Sequence, residues 1–445
     1  MSNILHKRLT ATIAIAAISG LALAGCATGD GETPASGPGD YGTADGVVTV
    51  YGTISDTEAD LLEQSWADFE ESSGIDIQYE ASKEFEAQIG IRAQGGNAPD
   101  LAIFPQPGLL ADLASRDYIQ PAPEGVAANV ESGWSEDWAN YGTVDGTLYG
   151  APLMASVKGF VWYSPSLFAE KGWEIPATWD DLLALTQQIR DDTGTAPWCV
   201  GFGSDAATGW PGTDWIEDLV LRQAGADTYD QWVSHDVPFS DPAITAAFDS
   251  LGEILLNPDY VNAGFGDVKS INTTSFADPA RALGDGSCVL HHQASFYTGF
   301  LQDPENGNAT VAEDGDIWAF ILPGEEAGAN AVTGGGEIVG AFSNDADTVK
   351  VQEFLSSAEW ANNRVELGGV ISANKGLDPS LASSPLLTQA ITVLQDPNTT
   401  FRFDASDLMP GVVGAGSFWS GMVDWINGKP TADVLSTIDA SWPAE

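Results

Sequence analysis

Val47-Val48-Thr49-Val50-Tyr51-Gly52 opens the stretch whose reading decides the fold. A β-branched run ended by glycine reads as a short buried strand. Ser55-Asp56-Thr57-Glu58 has the form of a helix capping box, and Leu62, Trp66 and Phe69 recur behind it at helical spacing. The pattern then repeats, with a strand expected over 76–79, a helix over 83–94 and a strand over 100–104. Such alternation specifies an α/β unit with a parallel sheet. Further on, Thr178-Trp179-Asp180-Asp181 starts a helix that carries Leu182, Leu185 and Ile189. Residues 198–202 read as a strand and 213–222 as a helix, so a second α/β unit follows the first. From residue 348 the chain reads as mostly helical, with helices expected over 416–426 and 431–438.

The 445 residues are enough for two or three folding units, and 43% hydrophobic content allows large cores. Sixty-four acidic residues stand against 16 basic ones, a formal net charge of −48. That surface repels phosphate backbones and anionic head groups, which excludes nucleic acid and a polybasic membrane patch as partners. A neutral or cationic small ligand fits best. Charged residues make up only 18% of the chain, so this is not a disordered acidic tail.

His6, Lys7 and Arg8 precede an uncharged apolar run over 9–24. At 1.5 Å per residue that run falls short of the ~30 Å of hydrocarbon a membrane anchor helix must cross. Residues 1–25 therefore read as a signal peptide. The run ends at Leu23-Ala24-Gly25-Cys26, which looks like a bacterial lipobox and implies cleavage before Cys26 and acylation of that residue. Residues 26–46, rich in Gly, Pro, Ser, Thr and Asp, read as a flexible tether. The expectation is a chain on the extracellular face of the cell membrane, touching it through the lipid alone. In that oxidising setting the remaining Cys199 and Cys288 pair by default, with a metal site or two free thiols as the alternatives.

The usual catalytic signatures are missing: no Gly-x-Ser-x-Gly elbow, phosphate-binding loop, dinucleotide fingerprint or His-Glu-x-x-His helix occurs. His291-His292 would point to opposite faces of a strand, one reaching a polar partner while the other packs. No cofactor and no metal are expected, and the sequence offers no positive reason for an enzyme. The alternatives that share its chemistry are a cell-surface glycoside hydrolase and a glycan-binding adhesin.

What the chain does show is chemistry suited to sugars. Trp210-Pro211-Gly212-Thr213-Asp214-Trp215 places two indoles and a carboxylate within six residues at a strand-to-helix transition. An indole covers the apolar face of a sugar ring, while a carboxylate accepts protons from its hydroxyls. Trp215, close to the helix start, could equally be a core residue, whereas Trp210, next to Pro-Gly in a loop, is expected at the ligand, as is Asp214 over its alternative as a helix cap. Ligands of open α/β sheets sit beyond the carboxyl ends of strands, which draws in Lys83-Glu84-Phe85 and Pro105-Gln106. Gln293 and Phe296 follow a strand in the same way. Gly334-Gly335-Gly336-Glu337 ends a glycine run with an acid, and Phe418-Trp419 adds a late aromatic pair.

Asp145-Gly146-Thr147-Leu148-Tyr149-Gly150-Ala151-Pro152, followed by Phe160-Val161-Trp162-Tyr163 and Pro176-Ala177-Thr178-Trp179-Asp180, resembles the extracellular solute-binding lipoproteins of ABC sugar importers, the group that includes maltose-binding proteins. Pro197-Trp198-Cys199-Val200-Gly201, the run over 208–215, His291-His292-Gln293-Ala294-Ser295-Phe296 and Phe401-Arg402-Phe403-Asp404 resemble its α-glucoside-binding branch. The resemblance implies a two-lobed periplasmic-binding-protein-like α/β fold with crossover hinge strands. It divides the chain into an N-terminal lobe, 47–157 with 340–372, and a C-terminal lobe, 158–339 with 373–445. It also implies a monomer that traps a neutral oligosaccharide of α-linked glucose units and passes it to ABC permease subunits. The substrate-binding set expected is Glu84, Gln106, Lys158, Trp210, Asp214, Trp215, Gln293, Phe296, Glu337, Asp404 and Trp419. Lys158 falls in the first crossover, where the maltose binders carry an acid.

Overall fold

The computed structural model describes residues 44–262, 265–326, 331–396 and 399–443. Cys26, the signal peptide over 1–25 and most of the tether lie outside the described residues.

Strands β1 (Val47–Gly52), β2 (Asp76–Ala81) and β3 (Leu101–Phe104) are parallel and share one register: Val50 lies opposite Tyr79 on one side and Leu101 on the other. Helices Asp56–Gln64, Ala67–Ser73 and Phe85–Gln94 connect them, as the alternation requires. The chain then makes a small hairpin, β4 (Thr143–Val144) and β5 (Thr147–Leu148), whose turn residues Asp145 and Gly146 both take positive φ. Next come β6 (Gly150–Val157), β7 (Phe160–Tyr163), β8 (His291–Gln293), β9 (Trp318–Ile321), β10 (Ala331–Ala341) and β11 (Thr400–Phe403).

β10 ties the larger sheet together. Its first residues run parallel to β11, its last run antiparallel to β3, and β6 lines its other edge. The sheet, in the order β11-β10-β3-β1-β2 with β6 beside β10, is therefore mixed rather than wholly parallel. A second sheet of three strands, β8-β7-β9, is antiparallel throughout. Lys158-Gly159 is the two-residue step from β6 in the first sheet to β7 in the second.

Glycines make the close approach of β6 and β10 possible. A Cβ on Gly336 would stand 2.3 Å from the Met154 carbonyl oxygen, and one on Gly334 would stand 2.8 Å from that of Ser156. The glycine run thus has a packing reason in the strand pairing itself. The register slips between Gly336 and Ile338, a bulge that falls at Glu337.

Four local expectations are corrected. Residues 198–202 form no strand, because their backbone N–H groups go to separate segments: Trp198 to Tyr260, Cys199 to Leu290 and Phe202 to Ile271. Ser55 builds no capping box, since its hydroxyl donates to Asp56 and no side-chain cap bond forms; Thr178 and Asp181 do form one. The helix expected from 213 begins at Trp210, so Trp210-Pro211-Gly212 is its first turn, with Pro tolerated there. The helix expected over 416–426 is split, with a π-helical stretch Val412–Phe418 leading into Trp419–Ile426.

Indoles dominate the core: Trp162, Trp198, Trp215, Trp232, Trp360 and Trp425 are all fully buried. Cys199 and Cys288 form a disulfide across a sequence separation of 89, with Cα atoms 5.7 Å apart. Both adjacent histidines find polar partners. His291 Nδ1 lies 2.8 Å from the Cys199 carbonyl oxygen and His292 Nε2 lies 2.8 Å from Asp218 Oδ2.

Candidate functional site

The carboxyl ends of β1, β2 and β3 open onto a cavity of about 230 Å³. Thr53 and Ile54 follow β1, Lys83 follows β2, and Pro105 with Gln106 follows β3; all line it. The opposite wall comes from the first turns of the helix Trp210–Ala224, from β10 at Gly335–Glu337, and from residues 404–407 after β11.

Helical geometry sorts the Trp-Asp-Trp motif. Trp210 and Asp214 are one turn apart on the same face, and both line the cavity. Trp215 is turned by ~100° from Asp214. It is buried, packed edge-on to Trp198 at 5.3 Å and stacked on the His292 ring at 4.0 Å. Of the remaining expected residues, Gln106, Lys158, Phe296, Glu337, Asp404 and Trp419 line the cavity. Glu84, Gln293 and Trp215 do not. Glu84 is the exposed residue just before the helix Phe85–Gln94, while Glu86, half a turn on, faces inward and accepts from Gln106 Nε2 at 3.1 Å. Gln293 is buried and turns its side-chain oxygen back to accept from the Ala294 N–H at 2.8 Å.

One side of the cavity is aromatic. Trp210 meets Phe276 edge-on at 5.2 Å and Phe296 at 6.1 Å, with Phe300 behind them. Trp419 lies on the wall too, its indole N–H unpartnered. Phe276 and Phe300 come from segments that carry no motif, and no sequence signal pointed to them.

The other side is charged. Lys158 Nζ donates to Asp214 Oδ1 at 2.8 Å and to Asp404 Oδ2. Burial works against its charge, but Asp214 and Asp404 hold the ammonium form well above its ordinary range. Burial raises the Asp214 pKa to about 8, against the pull of Lys158 and with repulsion from Asp404. Asp404 stays below its ordinary value despite burial, because Lys158, Glu217 and Ser406 favour its ionised form. Behind them Asp218 is fully buried with a pKa lowered to about 2; burial opposes this, and Arg222 and His292 overcome it. Arg222 donates to Asp218 Oδ1 at 2.5 Å, and the Thr333 hydroxyl donates to the same oxygen. Glu337 is half-buried, and its pKa is raised to about 7 chiefly by burial and by nearby Glu58, with Arg364 opposing.

Three buried polar atoms on residues that line the cavity have no hydrogen-bond partner: Gln106 Oε1, Asp214 Oδ2 and Trp419 Nε1. Buried polar atoms without partners are costly, and such atoms beside aromatic rings suit a hydroxyl-rich, partly apolar solute.

A cleft of this kind, beyond strand ends and walled by two sheets' connections, is where an α/β protein takes a small solute. The model of the bacterial extracellular solute-binding protein family matches residues 55–361, and the chain belongs to that family. The osmoprotective compounds-binding protein GgtB of Synechocystis sp. is 38% identical over 416 residues, covering 92% of this chain and 96% of that protein. The alpha-glucosides-binding periplasmic protein AglE of Rhizobium meliloti is 38% identical over 407 residues, covering 89% and 86%. Among solved structures, the bacterial solute receptor AcbH, described as preferring β-D-galactopyranose, matches with a TM-score of 0.75 at 19% identity, over 89% of this chain and 97% of that one. Maltose-bound MalE3 of T. maritima matches with a TM-score of 0.70 at 15% identity, over 88% and 98%. At these identities the likeness is one of fold: α/β and two-lobed. This chain is a solute-binding protein and not an enzyme. Among the described residues, no helix is long and apolar enough to cross a membrane.

Proposed function

We propose that this protein is a lipid-anchored extracellular receptor that captures an α-glucoside or a related neutral oligosaccharide for import by an ABC transporter. The observation that carries the reading is the pairing, in one cavity, of the Trp210 and Phe296 rings with the unpartnered side-chain oxygens of Gln106 and Asp214. The rings suit the apolar face of a sugar and the oxygens suit its hydroxyls, which both donate and accept. The names of two relatives at 38% identity, one for alpha-glucosides and one for osmoprotective compounds, support this ligand class. Glu337, Asp404 and Trp419 are assigned to the same ligand.

Within this reading the lobes are 47–157 with 340–372 and 158–339 with 373–445. The monomer closes on its ligand through contacts made to both lobes and hands it to permease subunits. Cys26 carries the lipid, and residues 26–46 let the receptor swing about it.

The test is a thermal-shift screen of the mature chain against mono-, di- and trisaccharides, since a ligand that binds only the folded state raises the melting temperature. A shift with α-linked glucosides such as trehalose, sucrose or maltose, confirmed by calorimetry, is the expected result. No shift with any sugar overturns the ligand assignment. Release of the protein from the membrane by Cys26→Ser checks the anchor.

A further inference from the structure

Asp214, Glu217 and Asp404 bring carboxyl oxygens within 4.8 Å of one another at the back of the cavity. All three residues are almost fully buried. Carboxyls crowded in a low-dielectric setting either keep protons or recruit a cation. Here the cation belongs to the chain. Lys158, at the step out of β6, reaches between Asp214 and Asp404, and its Nζ bonds to both.

Room for this lysine is built into the neighbouring strand. A Cβ on Gly335 would stand 3.2 Å from Lys158 Cε and 3.8 Å from Nζ, so the middle glycine of β10 leaves the stem its passage. Ser406 donates to Asp404 Oδ1 at 2.8 Å, and the Asp407 N–H donates to that same oxygen at 3.0 Å. Glu217 accepts from the Ala405 and Ser406 N–H groups, both at 3.1 Å. Asp214 differs: one oxygen is bonded to Lys158 and the other, Oδ2, has no partner, on a residue that is 2% exposed and lines the cavity.

We propose that Lys158 is a built-in counter-ion of the ligand site: it fills the place a ligand's cation would take, and it fixes Asp214 so that Oδ2 faces a hydroxyl of a neutral solute. Lys158 is then a positioning and specificity residue. It makes an otherwise acidic cavity accept an uncharged polyol and reject ammonium-bearing ones. Only the ligand arm of this inference rests on the sugar-binding reading above; the counter-ion arm needs no ligand.

The first experiment is ligand-free. Lys158→Ala removes the segment beyond Cβ, for which n-propylammonium is the matching fragment. Titrating n-propylammonium chloride should raise the melting temperature of Lys158→Ala by several degrees more than that of the unaltered protein, whereas n-propanol and sodium chloride should not. Equal shifts in both proteins overturn the proposal. If Lys158→Ala does not fold, Lys158→Met and Lys158→Met/Asp404→Asn replace it. The double variant, which loses one negative charge with the positive one, should be the more stable of the two. A double variant no more stable than the single overturns the counter-ion role.

In the ligand arm, calorimetry with trehalose as probe should show at least a tenfold loss of affinity in Lys158→Ala and recovery in n-propylammonium but not in n-propanol. Undiminished affinity in the variant overturns the positioning role. If the unaltered protein binds no sugar, the ligand reading fails and the counter-ion result still stands or falls by itself.

Discussion

Trp215 and His292 stack at a centroid distance of 4.0 Å and an interplanar angle of 25°, with both rings buried. His292 in turn bonds to Asp218, so this indole braces the buried charge layer behind the cavity. Trp210, five residues earlier, stands on the cavity wall. Two indoles of one motif therefore have separable roles.

Truncating each should separate them. Trp215→Ala should cost about 3–5 kcal/mol of stability, as deletion of a large buried ring does, measured by urea unfolding. Trp210→Ala should leave unfolding nearly unchanged and weaken sugar binding by more than about tenfold, or ~1.4 kcal/mol, measured by calorimetry. The reverse pattern would show the ligand on the wrong face of the helix.

The glycines of β10 should differ as sharply. A Cβ on Gly336 meets the Met154 backbone at 2.3 Å, and a backbone cannot move aside as a side chain can. Gly336→Ala should destabilise the protein by about 1–3 kcal/mol or more. Gly335→Ala, whose nearest neighbour is the Lys158 Cε at 3.2 Å, should cost less. Denaturation midpoints of the two variants decide it.

Stability should fall as pH rises from about 6.5 to 8. Glu337, faced by Glu58, Arg364 and Lys158, has its pKa raised to about 7 in the fold, against ~4.3 when unfolded. A raised carboxyl pKa gives stability that is present below the unfolded value and lost as pH climbs through the folded one. Asp214, raised to about 8, acts in the same direction. Asp218, lowered to about 2 where Arg222 and His292 face it, contributes above pH ~4 and loses its contribution as pH drops toward 2. His291, lowered to about 3 chiefly by burial, acts the other way below pH ~6.5, so the carboxyl contribution is read from the difference between Glu337→Gln and the unaltered protein in melting temperatures across pH 3–9. Glu337→Gln should flatten the fall between about pH 6.5 and 8.

Reducing the Cys199–Cys288 bond should cost about 2–5 kcal/mol, since it closes a long loop in the unfolded chain. Melting curves with and without dithiothreitol, beside those of Cys199→Ser/Cys288→Ser, test this. Identical curves in all three would show that the bond does not stabilise the fold.

The first three strands and their helices were legible because strand and helix periodicities are local properties of the chain, and the family resemblance was carried by contiguous motifs. The segment 198–202 departs from the expected strand for a related reason. Its β-like composition is local, but a strand also needs a neighbour along its length, and three separate partners share that backbone.

The sequence by itself determined the α/β alternation and the acidic character that disfavours anionic partners, while eight of the eleven residues expected to bind ligand line one cavity. Tertiary structure alone decided that Glu86 rather than Glu84 faces inward, that Trp215 packs in the core, and that Phe276 and Phe300 join Trp210. It also decided the role of Lys158, whose partners lie 56 and 246 residues away. Helix phase, ring packing and ion pairing across such distances depend on how whole elements dock, and local residue spacing does not encode that.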